Sequence, residues 1–250
     1  MKKLYPDEEI YFVLGLDNLD EFDTWREYEY MLENFKFLVM KRDGYDFDEV
    51  IIKHFVDSIS IVKAKEFNLI KKIMDGEKVS VIDIGTGAGF PSIPLKIVFP
   101  NLEITMLDSL NKRINFLNIV IDELDLNNES ASIKAIHGRA EDYATADKLR
   151  EKFDLSVSRA VANLSTLSEY CIPYVKKDGL FISYKSESLK EELLSAKNAI
   201  YILGGNSEKM IEFNLPETDY YRALLIVKKK NVSPKKYPRK AGLPSKEPLK

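Results

Sequence analysis

The segment that most limits the fold is residues 79–95, Val-Ser-Val-Ile-Asp-Ile-Gly-Thr-Gly-Ala-Gly-Phe-Pro-Ser-Ile-Pro-Leu. Val79 to Ile84 is β-branched and apolar, with one acid, Asp83, near its end. That is the composition of a strand buried in an α/β sheet. Gly85, Gly87 and Gly89 follow on alternate positions, where the missing Cβ lets the chain turn sharply and lie against a ligand. Pro91 suits the first turn of a helix, where its missing N–H is not needed. Strand, glycine turn and helix together build a nucleotide-type site at the carboxyl end of a strand.

The glycine spacing separates the candidate nucleotides. A dinucleotide fingerprint requires G-x-G-x-x-G. Counted from Gly85, the sixth position is Phe90; counted from Gly87, it is Ser92. An acid-x-G-x-G-x-G pattern at a strand end fits an S-adenosylmethionine site better. Such a site calls for a ribose-binding acid at the end of the next strand. Leu102 to Leu107 reads as that strand and Asp108 ends it, 23 positions after Gly85, near the spacing of about 20 for such an acid. A glycine-rich turn without a ligand is the plain alternative.

A chain of 250 residues holds one α/β domain plus an extension. It has no apolar run of about 18 residues, so no membrane span is expected. The first nine residues lack the apolar core of a signal peptide. The single cysteine, Cys171, excludes an internal disulfide and suits a reducing cytoplasm. The net charge of −3 hides an asymmetry: residues 228–250 carry nine Lys or Arg and one acid, a local +8 against −11 for the rest. A basic tail on an acidic body suggests contact with a polyanion, or else a solubilising, disordered tail.

In chain order, residues 1–17 read as a short helix after Pro6 and a loop. From Asn18 to Lys41, Leu19, Phe22, Trp25, Tyr28, Leu32, Phe35 and Leu38 recur every three or four residues, predicting an amphipathic helix. A second helix is expected from about Asp48 to Lys63. On it His54 and Asp57 are surface neighbours, either a general base pair or a structural one. Two histidines and one cysteine argue against a zinc site. Helices are then expected at 67–74, 91–98, 109–125, 163–174 and 189–198. Strands are expected at 79–84, 102–107, 131–136, 153–158, 179–184, 200–214 and 220–229. Leu110, Ile114, Leu117, Val120, Ile121 and Leu124 are expected to face inward on the 109–125 helix. Long strand–helix alternation predicts a doubly wound sheet. Four prolines among the charges of 232–250 predict neither helix nor strand there.

The loop after the fourth strand narrows the chemistry. Methylation of an exocyclic base amine usually shows an Asp/Asn-Pro-Pro-aromatic loop, whereas this chain has Ser158-Arg159-Ala160-Val161. Methylation at carbon 5 of a pyrimidine needs a cysteine nucleophile, and Cys171 reads as buried packing. A ring nitrogen with a free lone pair, such as nitrogen 7 of guanine, needs neither device and no general base. The protein then supplies position, worth about 7–11 kcal/mol of barrier in favourable cases. Arg159, at the strand end, is the candidate catalytic residue in this positioning sense. It would hold the cofactor carboxylate, or guanine O6 and phosphates, unless it is spent on an ion pair with Asp83 or Glu141.

Four runs carry a family resemblance: Asp83–Leu95, Leu107–Leu117, Gly138-Arg-Ala-Glu-Asp142 and Ser158-Arg-Ala-Val-Ala-Asn-Leu164. With Lys53-His54-Phe-Val-Asp57-Ser58 and the tail Pro234–Leu249, they resemble the bacterial small-subunit ribosomal RNA methyltransferase G family (glucose-inhibited division protein B). The likeness runs from about residue 20 to the end. The resemblance implies methylation of nitrogen 7 of one guanine in 16S ribosomal RNA, with S-adenosylmethionine as donor. By matching position it implies cofactor contacts at Gly85, Phe90, Ala140, Glu141 and Arg159. Thr86 and Gly87 in the glycine loop, and Asp108 from the ribose argument, complete the set. Lys112, Arg113, Lys235, Lys236, Arg239 and Lys240 would face RNA, making binding strongly salt-dependent. The chain departs from the family at Glu33-Asn34, which is not followed by an Asn-Leu-Thr tract, and at Ser92, where the family commonly has glycine.

The resulting expectation is an α/β, class I S-adenosylmethionine-dependent methyltransferase. Its Rossmann-like doubly wound sheet is mostly parallel with an antiparallel terminal strand. The N-terminal helical extension is expected at 1–64, the methyltransferase domain at 65–230 and the basic, Pro-rich tail at 231–250. The expected partner is 16S ribosomal RNA or the small ribosomal subunit, with no metal and no membrane, for a cytoplasmic monomer. The alternatives are a non-catalytic ribosome-assembly factor that keeps the fold, and a small-molecule methyltransferase. A nicotinamide enzyme ranks last.

Overall fold

The computed structural model describes residues 11–15, 36–40, 47–145, 147–159, 161–186 and 189–249. The chain divides into two compact units, Met1–Lys53 and His54–Lys250.

In the first unit β1 (Tyr11–Gly15) pairs in parallel with β2 (Lys36–Met40), Tyr11 opposite Lys36 and Gly15 opposite Met40. Both strands are corrections to the sequence reading. A loop or short helix was expected at 11–15, and 36–40 falls inside the helix expected at 18–41. Phe35-Lys-Phe-Leu-Val-Met40 is a short apolar run. Such runs do not distinguish helix from strand by period alone. The aromatic stripe at 19–35 lies outside the described residues. Helix α1 (Phe47–Val50) follows.

A π-helical stretch, Ile51–Val56, leads into α2 (Asp57–Ile59) and a 3-10 turn, Ser60–Ala64. After α3 (Asn68–Met74) the chain alternates β3 (Val79–Ile84), α4 (Ser92–Val98), β4 (Leu102–Asp108), α5 (Asn111–Glu123), β5 (Ile133–His137), α6 (Ala140–Tyr143), β6 (Phe153–Arg159) and α7 (Leu164–Cys171). Then come β7 (Val175–Lys185), α8 (Leu189–Ile202), β8 (Gly205–Asn214), β9 (Tyr221–Lys229) and α9 (Leu243–Lys246). The seven strands β3 to β9 form one sheet in the order β5-β4-β3-β6-β7-β9-β8. Pairs from β5 to β7 are parallel, while β9 runs antiparallel to both β7 and β8. Chain order reverses between β3 and β6, which opens a crevice at their carboxyl ends.

The inner strands have apolar sets on both faces, so the sheet has two cores. Val81, Ile104, Leu155, Ile182 and Ile226 pack with Ile70, Ile73, Ile93, Ile114 and Leu117 on one side. Ile82, Ile84, Phe181, Leu225 and Val227 pack with Leu164, Leu167, Leu189 and Ile200 on the other. This is the period-2 alternation of strands covered by helices on both faces. The expected inward set on α5 holds for Ile114, Leu117 and Ile121, but Leu110 and Leu124 are 51% and 52% exposed. They flank the helix rather than belonging to it, so its period no longer turns them inward. Helix α8 runs to Ile202, and the strand expected from 200 begins at Gly205.

The tail is the larger correction. Instead of the solubilising, disordered alternative it folds back onto the body, and α9 stands where neither helix nor strand was expected. Tyr237 is 7% exposed within the second core, and Ser233 is 1% exposed. At its root Lys229 Nζ donates to Ile172 O (2.9 Å) and Ser233 Oγ (2.5 Å) and pairs with Glu151 (3.2 Å). Burial pulls that ammonium down to about 8. Arg150 donates to the carbonyls of Ser233 and Tyr237, both at 2.6 Å. Fixed partners offset the chain entropy that composition alone leaves unopposed.

A buried cation ties the chain together near the amino-terminal ends of β4 and β5. Lys96 is 2% exposed, and its Nζ donates to Pro100 O (2.6 Å), Leu102 O (3.0 Å) and Ala131 O (3.0 Å). Lys96→Met preserves the stem but strands these carbonyls. It is expected to lower the unfolding free energy by about 2–4 kcal/mol, measured by urea denaturation.

Candidate functional site

Register brings the site together. Val79 pairs with Leu102 and Ile84 with Leu107, so β3 and β4 end level. The Gly85 N–H continues the ladder to Leu107 O at 2.8 Å. The chain then leaves β3 with φ +71° at Gly85 and +59° at Gly87, values open to glycine and costly for most residues. A Cβ at Gly85 would lie 2.6 Å from Val161 Cγ2, in the loop after β6, whereas one at Gly87 would meet nothing within 4 Å among the described residues. The first glycine thus lets two loops close together, and the second leaves bare backbone facing open space.

Two carboxylates fix this turn. Asp83 is fully buried, and its Oδ2 accepts from Thr86 Oγ1 (2.7 Å) and Ser92 Oγ (2.8 Å). Ser92, the departure from the family pattern, therefore supplies a donor. Among the described residues Asp83 Oδ1 has no hydrogen-bond partner. Desolvation raises the Asp83 pKa to about 7, against the two hydroxyl donors that lower it. Asp108, 3% exposed, accepts from Gly87 N (3.0 Å) and Leu110 N (2.9 Å) and pairs with Arg113 at 3.4 Å. The expected ribose acid thus also ties the end of β4 to the glycine loop. An open cradle beside a buried, half-satisfied carboxylate fits a ligand with both polar and cationic groups, as S-adenosylmethionine has.

A second group lies at the carboxyl end of β6. Arg159 donates to Asp57 Oδ2 (3.2 Å) and His54 O (3.3 Å), and its guanidinium carbon lies 5.0 Å from the Phe90 ring centroid. His54 and Phe55 approach the same ring at 5.3 and 5.2 Å, the latter edge-on. Arg222, from β9, pairs with the same Asp57 oxygen at 3.2 Å. The acid paired with Arg159 is therefore Asp57, not Asp83 or Glu141 as the sequence reading offered. The His54–Asp57 neighbours become a structural anchor, with Asp57 shared by two guanidiniums. Arg222 was missed, because an arginine in an apolar strand gives no sequence sign of which loop it will meet.

The remaining candidates are scattered. Ala140 and Glu141 open α6 after β5, where Tyr174 Oη donates to Ala140 O at 2.6 Å. Lys112 is exposed and Arg113 half-exposed on the first turn of α5. Lys235, Lys236 and Lys240 are exposed on the tail. Arg239 differs from these tail lysines: its side chain is committed to buried Glu169 at 2.8 Å. Cys171 is fully buried and its thiol pKa is driven up by burial, which rules it out as a thiolate nucleophile. Among the described residues, no three His, Cys, Asp or Glu side chains converge as a metal-ligand set. No helix among them is long and apolar enough to cross a membrane.

A mostly parallel seven-stranded sheet with an antiparallel β9, and a carboxylate-braced glycine turn at its switch point, define a class I methyltransferase. The fold is similar to that of the antibiotic-resistance methyltransferase Kmr, with a TM-score of 0.50, 14% identity, and coverage of 65% of this chain and 92% of that one. The family model for rRNA small subunit methyltransferase G (GidB) matches residues 33–220. Two relatives carry the name ribosomal RNA small subunit methyltransferase G. The one from Clostridium botulinum (strain Okra / Type B1) is 53% identical over 203 residues, 81% of this chain and 80% of its own. The one from Acetivibrio thermocellus is 44% identical over 249 residues, 100% of this chain and 97% of its own. The chain belongs to the ribosomal RNA small subunit methyltransferase G family.

The raised Asp83 pKa has a measurable consequence. Below 3.8, its ordinary value, the carboxyl is protonated both folded and unfolded. Between 3.8 and about 7 the folded chain alone keeps the proton, so this group's contribution falls as pH rises. Above that window the full burial cost remains. Asp83→Asn is expected to remove a slope of up to about 1.4 kcal/mol per pH unit in that window, seen by comparing denaturant midpoints of the two proteins from pH 5 to 8.

Proposed function

We propose that this protein methylates nitrogen 7 of one guanine in 16S ribosomal RNA, with S-adenosylmethionine as methyl donor. The observation that carries the reading is the Asp83–Gly87 cradle at the switch point, in a chain whose family is named for methylation of small-subunit ribosomal RNA. Gly85, Gly87 and Asp108 would hold the donor on the β3–β4 side, with Phe90 and Arg159 on the β6 side. When bound, the donor supplies an electrophilic methyl group on a sulfonium.

Guanine nitrogen 7 carries a lone pair in the acceptor base, so the protein need not remove a proton. What the chain supplies is position and field. Phe90 offers a flat face, and Arg159 is locked over it by Asp57, a geometry suited to holding a base edge or a phosphate. Lys112, Arg113 and the exposed tail lysines Lys235, Lys236 and Lys240 would take phosphates of the RNA backbone. The substrate is proposed to be the small subunit or its RNA, and the protein to act in the cytoplasm as a monomer.

The direct test is methyl transfer from labelled S-adenosylmethionine to small ribosomal subunits lacking the modification, with naked 16S RNA alongside. Label is expected as 7-methylguanosine at one position, identified by mass spectrometry, and Gly85→Asp is expected to abolish it. No label from protein that binds the donor would move the weight to an assembly factor.

Arg159→Lys keeps the charge but loses the fork that reaches Asp57 and the plane that stacks on Phe90. In the same assay it is expected to lower kcat/KM for RNA by about ten- to a hundredfold, with the helical content unchanged by circular dichroism. An unchanged kcat/KM would remove Arg159 from the site.

A further inference from the structure

Glu169, on α7, has a side chain with no exposure, and the tail supplies donors to it. Arg239 gives both carboxylate oxygens its Nε (3.0 and 3.2 Å), gives Oε2 its Nη2 (2.8 Å), and gives Oε1 its backbone N–H (2.7 Å). Arg239 Nη2 also reaches forward to Glu247 O at 2.7 Å. Three residues after Arg239 the chain turns at Gly242 with φ +81°. This turn directs the Gly242 N–H to Glu141 Oε1 at 2.8 Å. Just beyond, Pro244 O accepts from Thr166 Oγ1 at 3.0 Å, back on α7.

Glu141 is 8% exposed and belongs to α6, a four-residue helix at the carboxyl edge of the sheet after β5. A helix that short has little stability of its own, so its position depends on what grips it. Tyr174 holds its first carbonyl, and Gly242 holds its first acid. The Gly242 hold is only as firm as its anchor. Without Arg239, Glu169 becomes a buried carboxylate short of its cation, an arrangement proteins relieve by local rearrangement. Release of the strap then frees Glu141 101 positions away in sequence.

We propose that residues 239–244 are a positioning strap for α6, setting the affinity of the site for its donor through Glu141 without touching the reacting atoms. The proposal rests on the methyltransferase reading above. It assigns the most basic part of the chain a second task besides meeting RNA: Arg239 faces inward to brace α6, while Lys235, Lys236 and Lys240 stay exposed.

The probe is S-adenosylhomocysteine, bound to the full-length chain without RNA and followed by calorimetry. Arg239→Ala is expected to raise its Kd about tenfold, a typical coupling between linked sites. In turnover the KM for the donor rises in parallel, while kcat at saturation stays within about twofold. Should that variant fail to fold, amide hydrogen exchange on the native chain provides the readout. Adding S-adenosylhomocysteine is expected to slow exchange at Gly242, outside the pocket itself. Equal affinity in the native chain and Arg239→Ala, or Gly242 exchange that ignores the ligand, overturns the strap alone. Failure of the native chain to bind S-adenosylhomocysteine overturns the methyltransferase reading instead.

Discussion

The chain must leave β3 through two glycines at positive φ while passing between a buried carboxylate and the end of the neighbouring strand. Asp83 and Asp108 hold that passage from opposite sides, one through the hydroxyls of Thr86 and Ser92, the other through the Gly87 N–H. The surrounding structure follows from keeping this turn rigid. The β3–β4 register must place Asp108 level with the loop. Helix α4 must start close enough for Ser92 to reach Asp83. The loop after β6 must come near enough for Val161 to cover Gly85. A side chain at Gly85 would separate the two loops whose meeting forms the crevice.

The site uses charge in two different ways. At Asp83 burial outweighs both the hydroxyl donors and the charge of Arg159, so its proton is held up to about pH 7. Asp57 is also buried but sits between Arg159 and Arg222. It uses its charge to fix the direction of a guanidinium over Phe90. The contrast follows from desolvation: a buried carboxylate either gains a cation or tends to keep its proton. One arrangement tunes the floor of the cradle, and the other builds its wall.

Burial also explains the tail. A proline-rich, basic segment cannot bury enough apolar surface to order itself. Here it does not need to. Tyr237 enters a core made by other elements, and the body offers carboxylates and a guanidinium whose partners lie on the tail. Glu151, Glu169 and Glu141 accept from it, and Arg150 donates to it. The local +8 charge is thus divided between residues used for folding and residues left on the surface.

The sequence by itself determined the parts that depend on local rules. The β-branched, apolar runs located the strands of the second unit, and their alternation with helices pointed to the doubly wound sheet. The acid-and-glycine spacing located the cradle, down to Asp83, Gly85, Gly87 and Asp108, because strand, turn and helix start are each encoded by neighbours in the chain. Local rules failed at Tyr11–Gly15 and Lys36–Met40, where strands replaced the expected loop and helix. A short apolar run takes its conformation from whatever strand it pairs with. Only the tertiary structure decided which acid Arg159 meets, that Arg222 shares it, and that Arg239 turns inward. Those pairings join residues 102, 165 and 70 positions apart. Charge partners across such distances are chosen by how the sheet stacks its loops, and one strand's composition carries no record of that choice.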